Sequence, residues 1–226
     1  MSALHDWLTG DLLPLLGRLS AEFLPQFLAG MVVNFEIAAI ALAIGLALGV
    51  LLALGRLGGG AVGGISATAI NLMRAAPTFV VMFFLLNIVP SDATLFGIPV
   101  ALSGVMTVAL SLVPYSAAYA ADAGIDALKQ MRSGSPRGAL LFLPNITRAF
   151  FVLVMSSGAA AAIGVSEGIS VILRQAEQLP ALADRMVLFA FGILMFGIPL
   201  QLGFALIRAL QRHLSGVMLR RQAGTS

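Results

Sequence analysis

Residues 26–57 read QFLAGMVVNFEIAAIALAIGLALGVLLALGRL, an apolar run in which Glu36 and Arg56 are the only charges. A helix needs about 20 mostly apolar residues to cross roughly 30 Å of hydrocarbon, so this stretch spans with residues to spare. Four further apolar runs follow, and the spans are placed at about 27–54, 67–89, 98–121, 140–165 and 186–210. Across the 226 residues, 59% are hydrophobic and 10% charged, and the mean hydropathy is +1.00. Soluble domains carry about 25% charged residues, so this composition excludes an ordinary soluble protein, and its hydrophobicity excludes a disordered one. The runs do not alternate polar and apolar residues, which disfavours a membrane barrel. The expected fold class is an all-α polytopic membrane protein.

The segment before the first span mixes Trp7, Leu8, Leu12, Leu15, Leu16, Leu19, Phe23 and Phe27 with Asp6, Asp11, Arg18 and Glu22, and Pro14 and Pro25 interrupt it. It lacks the basic start of a secretory signal. Residues 1–28 therefore read as an amphipathic segment lying in the membrane interface. With five spans the termini face opposite sides. The C-terminal side collects ten cations: Arg56, Arg74, Lys129, Arg132, Arg137, Arg148, Arg208, Arg212, Arg220 and Arg221. The other side has three, Arg18, Arg174 and Arg185. Cationic loops stay on the cytoplasmic side, which predicts N-out and C-in. The net charge of +3 and isoelectric point near 10.2 follow from the same bias and imply no nucleic-acid partner.

Catalytic and metal-binding patterns are sparse. There is no cysteine, and His5 and His213 lie at opposite ends of the chain. The glycine-rich stretch 55–64 has no lysine, and Lys129, the only lysine, is followed by Gln130 rather than Ser or Thr. A phosphate-binding loop needs GxxxxGK[ST], so this chain is not expected to hydrolyse ATP, and no metal or cofactor is expected on it. No HExxH or GxSxG occurs either, so an enzyme is not expected.

Some polar residues inside the apolar runs invite a role. Glu36 lies about six residues past Gly30, or ~9 Å along a helix. An ionisable group at that depth is costly and faces a cavity, a partner or the interface. It reads either as a cation or amine contact or as a carboxyl reaching the outer interface. Asn34 and Asn87 pose the same question more weakly. Arg74 and Arg148 read as interfacial anchors. Glu167, just past the fourth span, reads as a solvated helix cap or as a contact in an outer gate. Gly45 and Gly49 either admit a neighbouring helix closely or reflect the frequency of glycine in membrane helices.

Six stretches together resemble the membrane permease subunits of binding-protein-dependent ABC importers, in the polar amino acid branch. Residues 26–57 resemble the first core helix with its ALxRL ending. Arg74-Ala75-Ala76-Pro77 resembles RGTP, and Ala117-Ala118-Tyr119 with Asp122 resembles AAYxxE. Phe142-Leu143-Pro144-Asn145 with Arg148 resembles ILPQAxR. Ile163-Gly164-Val165-Ser166-Glu167 resembles IGVxEL, and Leu210-Gln211-Arg212-His213-Leu214 resembles LERRL. The departures are specific. No Glu occurs between Glu36 and Glu167, so the glutamate of the EAA coupling loop is missing. Lys129-Gln130 is a faint remnant of its GQ, and the loop is shorter by about a dozen residues. Met155-Ser156-Ser157-Gly158-Ala159 stands where the family has KDTSL.

The resemblance implies a permease domain over 29–214, a cytoplasmic coupling loop over 122–139 and a basic cytoplasmic tail over 215–226. It implies a multi-pass protein of the plasma (bacterial inner) membrane. The chain would form half the pathway of an importer for a small polar solute, an amino acid or relative. Its partners would be a second permease subunit, a cytoplasmic ABC ATPase carrying Mg-ATP, an extracytoplasmic solute-binding protein and membrane lipid. Glu36, Asn87 and Ser157 are the expected pathway residues, and Lys129, Gln130, Arg132 and Arg137 the expected coupling surface. Arg74, Pro77, Tyr119, Asp122, Pro144, Arg148, Gly164 and Glu167 hold family-motif positions. The competing expectation, favoured by the short Glu-free loop, is an accessory or scaffold subunit without ATPase coupling. A secondary transporter would want paired acids near the midplane or an inverted repeat, and neither is visible.

Overall fold

The computed structural model describes residues 17, 19–89, 94–95, 98–99, 102–133 and 137–223. The expected interfacial segment 1–28 lies mostly outside the described residues, as does the end of the basic tail. A π-helical turn, Leu19–Phe23, leads into α1 (Leu24–Gly58). Then come α2 (Gly60–Ala75), α3 (Thr78–Ile88) and a two-residue antiparallel pair, β1 (Thr94–Leu95) with β2 (Ile98–Pro99). The chain continues through α4 (Gly104–Arg132), α5 (Arg137–Ser156), a 3-10 segment (Ser157–Ile163), α6 (Gly168–Glu177) and α7 (Leu182–Ala223). Four helical stretches among the described residues are long and apolar enough to cross a membrane: Ala21–Gly58, Gly104–Arg132, Phe142–Ile163 and Leu182–Ala209. The chain is an all-α polytopic membrane protein.

The sequence predicts one straight helix over 67–89, and the structure differs. α2 and α3 meet at 95° across Ala76-Pro77, so they form one broken span or a re-entrant loop. Proline crowds the residue before it out of the helical region, and it has no N–H to continue the ladder. Both residues are accordingly extended, with ψ of 115° at Ala76 and 122° at Pro77. The glycine-rich stretch is not a loop either. It is the end of α1 and the start of α2, joined at Gly59 with φ +72°. The third span begins later than its apolar run, because Ser103 caps α4 by accepting from the Met106 N–H. The expected coupling loop is mostly helix, since α4 runs on to Arg132 and α5 starts at Arg137.

The bundle is built around α1 and α4. Of their apolar windows, 61% of α4 is buried but 17% of α7, so α4 is the central helix and α7 a peripheral one. α1 and α4 run parallel and nearly touch. A Cβ on Gly45 would lie 2.5 Å from Ser116 Cβ, and one on Gly49 would lie 2.7 Å from the Ala117 carbonyl oxygen and 2.9 Å from the Ala121 nitrogen. Gly124 on α4 faces Ala53 on α1. Small residues on both helices bring the backbones into contact, which is how helices associate where lipid is as apolar as their side chains. The main core then packs Ile37, Ala38 and Ala41 of α1 on Val108, Ala109 and Leu112 of α4 and on Phe151, Leu153 and Val154 of α5. A second cluster joins Phe23, Phe27 and Met31 to Val171, Ile172 and Leu188.

Helix propensity alone says that Gly→Ala stabilises a helix by up to ~1 kcal/mol. Gly64→Ala, with open space around it, should follow that rule. Gly49→Ala should do the opposite and lower stability by about 1–3 kcal/mol, because the methyl meets backbone. Melting temperatures of the two purified variants in one detergent check the difference in sign.

Candidate functional site: a buried polar node and two charged groups

α5 does not run straight into a loop. Its last turns tighten into the 3-10 segment, which Gly164 ends at φ +80°, a left-handed conformation that glycine adopts without strain. Four residues later α6 begins. The break leaves the first N–H groups of α6 inside the protein, and Glu167 satisfies them. Its Oε1 accepts from the Ser170 N–H at 2.8 Å and its Oε2 from the Ile169 N–H at 2.9 Å. The Ser170 hydroxyl returns a bond by accepting from the Glu167 N–H at 2.9 Å, completing a capping box. The carboxylate also sits at the positive end of the α6 dipole.

Asn34 of α1 closes the node. Its Nδ2 donates to Glu167 Oε2 and to Ser157 Oγ, both at 2.8 Å, and its Oδ1 accepts from the Gly168 N–H at 2.9 Å. The Ser157 hydroxyl donates onward to the Val154 carbonyl at 2.7 Å. Asn34, Ser157 and Glu167 are each fully buried. Gly30 lets α1 come this close, since a Cβ there would lie 2.8 Å from the Gly168 nitrogen. Beside the node, an apolar cleft of about 460 Å³ opens between α5, α6 and α7, lined by Asn34, Val154, Ile172, Phe189 and Phe196 among others.

The node takes in one expected pathway residue, Ser157, and leaves the other two elsewhere. Glu36 is exposed on the face of α1 turned away from the core. Asn87 is exposed near the end of α3, where its side chain folds back to donate to the Phe83 carbonyl at 2.7 Å. No hydrogen bond or ion pair joins the three among the described residues. Glu167 is a cap, as one of its two readings holds, but a buried one rather than a solvated one. Asn34, the weaker candidate in the sequence, is the hub. Its signal was its place on the buried stripe of α1, with Met31, Ile37, Ala38 and Ala41.

Two charged groups lie further along. Arg74, at the end of α2, donates from Nη2 to Asp122 Oδ2 of α4 at 2.5 Å and from Nη1 to Asn71 Oδ1 at 3.2 Å. Two motif positions 48 residues apart thus meet. Beside them an open cavity of about 610 Å³ is lined by Arg56, Leu57, Asp122, Ile125, Asp126 and Lys129. Lys129 and Arg132 are exposed, Gln130 is half-buried, and Arg137 is the first residue of α5. Pro144 lies inside α5 rather than at its start. The second is Arg148, exposed on α5; on α4 the Tyr115 and Tyr119 rings lie 6.1 Å apart.

No family model matches the sequence, and no curated protein matches it. The fold does have a counterpart. A chain from the crystal structure of an amino acid ABC transporter with histidines superposes with a TM-score of 0.64 at 16% identity, over 86% of this chain and 96% of that one. The two chains share their fold.

Two stability predictions follow from the node and the ion pair. Asn34→Leu strands the Gly168 N–H and takes a donor from the buried Glu167 carboxyl, so it should cost about 2–6 kcal/mol at 1–3 kcal/mol per orphaned group. Ser157→Ala leaves Asn34 bonded to Glu167 and should cost clearly less. Thermal unfolding of both variants gives the order. The Arg74–Asp122 pair, with side chains 54% and 48% exposed, should contribute no more than about 1 kcal/mol, read from the same assay on Asp122→Asn.

Proposed function

We propose that the chain is the transmembrane subunit of an ABC importer. It forms half the translocation pathway for a small polar solute, an amino acid or related compound. The observation that carries this reading is the shared fold with a chain of an amino acid ABC transporter, along nearly the whole of both chains. The ordered motifs support it, and the Arg74–Asp122 pair ties two of them together in space. In this reading the protein sits in a bacterial inner membrane with its N-terminus out and C-terminus in. It pairs with a second permease subunit, receives solute from an external binding protein, and alternates access as a separate ATPase hydrolyses Mg-ATP. Discontinuous helices at membrane depth, such as α2–α3 and the 157–168 break, are the elements on which such motions turn.

The ATPase surface in this reading is the end of the bundle that holds Lys129, Gln130, Arg132 and Arg137. α4 runs straight into it and only residues 133–136 separate it from α5, so force would pass directly along α4. Purification of the tagged chain from its native membrane in mild detergent should bring down a second permease and an ATPase subunit, identified by mass spectrometry. Arg132→Glu should release the ATPase while the permease pair stays together. A permease-sized partner with no ATPase, even after crosslinking, overturns ATP coupling and leaves an accessory subunit.

A further inference from the structure

α7 is the least buried of the four spanning stretches, with 17% of its apolar window inside the protein. It meets the bundle at separate points. Gly192 lies on Ile172 of α6, Phe196 packs edge-on against Phe27 of α1, and Gly203 lies on Phe151 of α5. Between α7 and the facing sides of α5 and α6, the apolar cleft of about 460 Å³ stays open. Its wall on α7 runs from Phe189 to Leu200, about 16 Å along the helix. That is close to half of the roughly 30 Å hydrocarbon thickness, the depth of one leaflet.

The wall selects among guests. Asn34 is its one polar side chain, and both amide hydrogens of Asn34 are given to Ser157 and Glu167, so a polar solute finds no donor there. A helix does not fit inside, since a 16 Å length about 10 Å across fills roughly 1,300 Å³. A hydrocarbon chain, a single file of methylene groups, is thin enough and matches the aliphatic and aromatic lining.

The end of this wall nearest the start of α7 carries a cation. Arg185 precedes Phe189 by four positions, so it falls on the same stripe of α7 as Phe189, Ile193 and Phe196, about 6 Å beyond the cleft. Its Nε donates to the Leu179 carbonyl at 2.7 Å, which holds the side chain at the turn between α6 and α7. Among the described residues its Nη groups bond nothing, and neither Asp184 nor Glu177 pairs with it. The guanidinium keeps donors for an anion where the apolar lining stops, and its planar fork suits a phosphate.

We propose that this cleft is a phospholipid site: one acyl chain lies along α7 between Phe189 and Leu200, and the lipid phosphate accepts from Arg185. The inference rests on the membrane-spanning fold and not on the importer reading. The bound chain supplies contacts that α7 lacks on this side and ties it to α5 and α6 beside the Asn34 node.

Gly197 provides the decisive variant, since it lines the cleft and a Cβ there meets nothing within 4 Å. The full chain, with any subunits it retains, is purified in mild detergent, delipidated and titrated with dioleoylphosphatidylglycerol. Native mass spectrometry reads the occupancy of the first lipid above the statistical series. Gly197→Leu, which fills the space, should remove that first-site adduct. Ile193→Trp, which blocks the cleft from an exposed wall position, should do the same. Arg185→Gln should weaken first-site binding by about tenfold, the low end for one charge-assisted hydrogen bond. Arg185→Lys, which keeps the charge, should retain most of the affinity. Added lipid should raise the melting temperature of the wild type and leave that of Gly197→Leu unchanged. Glycerol 1-phosphate, the headgroup without chains, should not displace the lipid.

First-site binding that survives both cleft-filling variants overturns the proposal, and so does equal binding by wild type and Arg185→Gln. Displacement by glycerol 1-phosphate overturns the role of the chain and with it the site. If Gly197→Leu releases a protein subunit instead of a lipid, the cleft belongs to a subunit interface and the proposal fails.

Discussion

A helix that stops inside the protein leaves N–H and C=O groups that water does not reach, and each one left unbonded costs about 1–3 kcal/mol. This fold contains such a stop between α5 and α6, and Glu167 is what makes it tolerable. A carboxylate accepts more hydrogen bonds than any neutral side chain of its size, and here it takes two backbone N–H groups of α6 and one amide hydrogen of Asn34. The buried carboxyl is held by directed donors and the α6 dipole, with no cation bonded to it among the described residues. That requirement fixes α1, α5 and α6 with respect to one another.

The rest of the packing follows from how close α1 must come. Asn34 reaches both sides of the break only because Gly30 lies against the Glu167–Gly168 backbone. Further along α1, Gly45 and Gly49 set the same close approach to α4. One helix is therefore clamped at two heights, by hydrogen bonds to α6 and by small-residue contact to α4. The helices outside this clamp behave differently. In α3, Met82 is the one buried residue, while Phe79, Val80, Phe83 and Phe84 face outward.

Polar groups among the helices fall into two kinds, each with its own physics. The Asn34–Ser157–Glu167 node is closed, since every donor and acceptor named in it has a partner, and it holds structure. The Arg74–Asp122 pair is exposed, and its energy is small, so what it provides is a link between α2 and α4 rather than stability. A closed node suits a scaffold, which is why the buried Glu167 is not the residue assigned to solute.

The sequence by itself determined the class of the protein. Apolar runs long enough to span hydrocarbon admit little besides a helical bundle, and the small-residue spacing at Gly45 and Gly49 was legible because its period is that of a helix. Ser157 and Glu167 could be singled out as polar residues in or beside apolar runs. What only the tertiary structure decided was company. Asn34 and Glu167 are 133 residues apart, and nothing local in either says that one caps the helix the other packs against. Glu36 and Asn34 lie two positions apart on one helix, yet one faces out and the other in, and the neighbours that set this lie far along the chain. The bend at Ala76-Pro77 was settled the same way. A residue's distance from an apolar run's edge is sequence, but its level in the membrane is fixed by the register of the helices beside it.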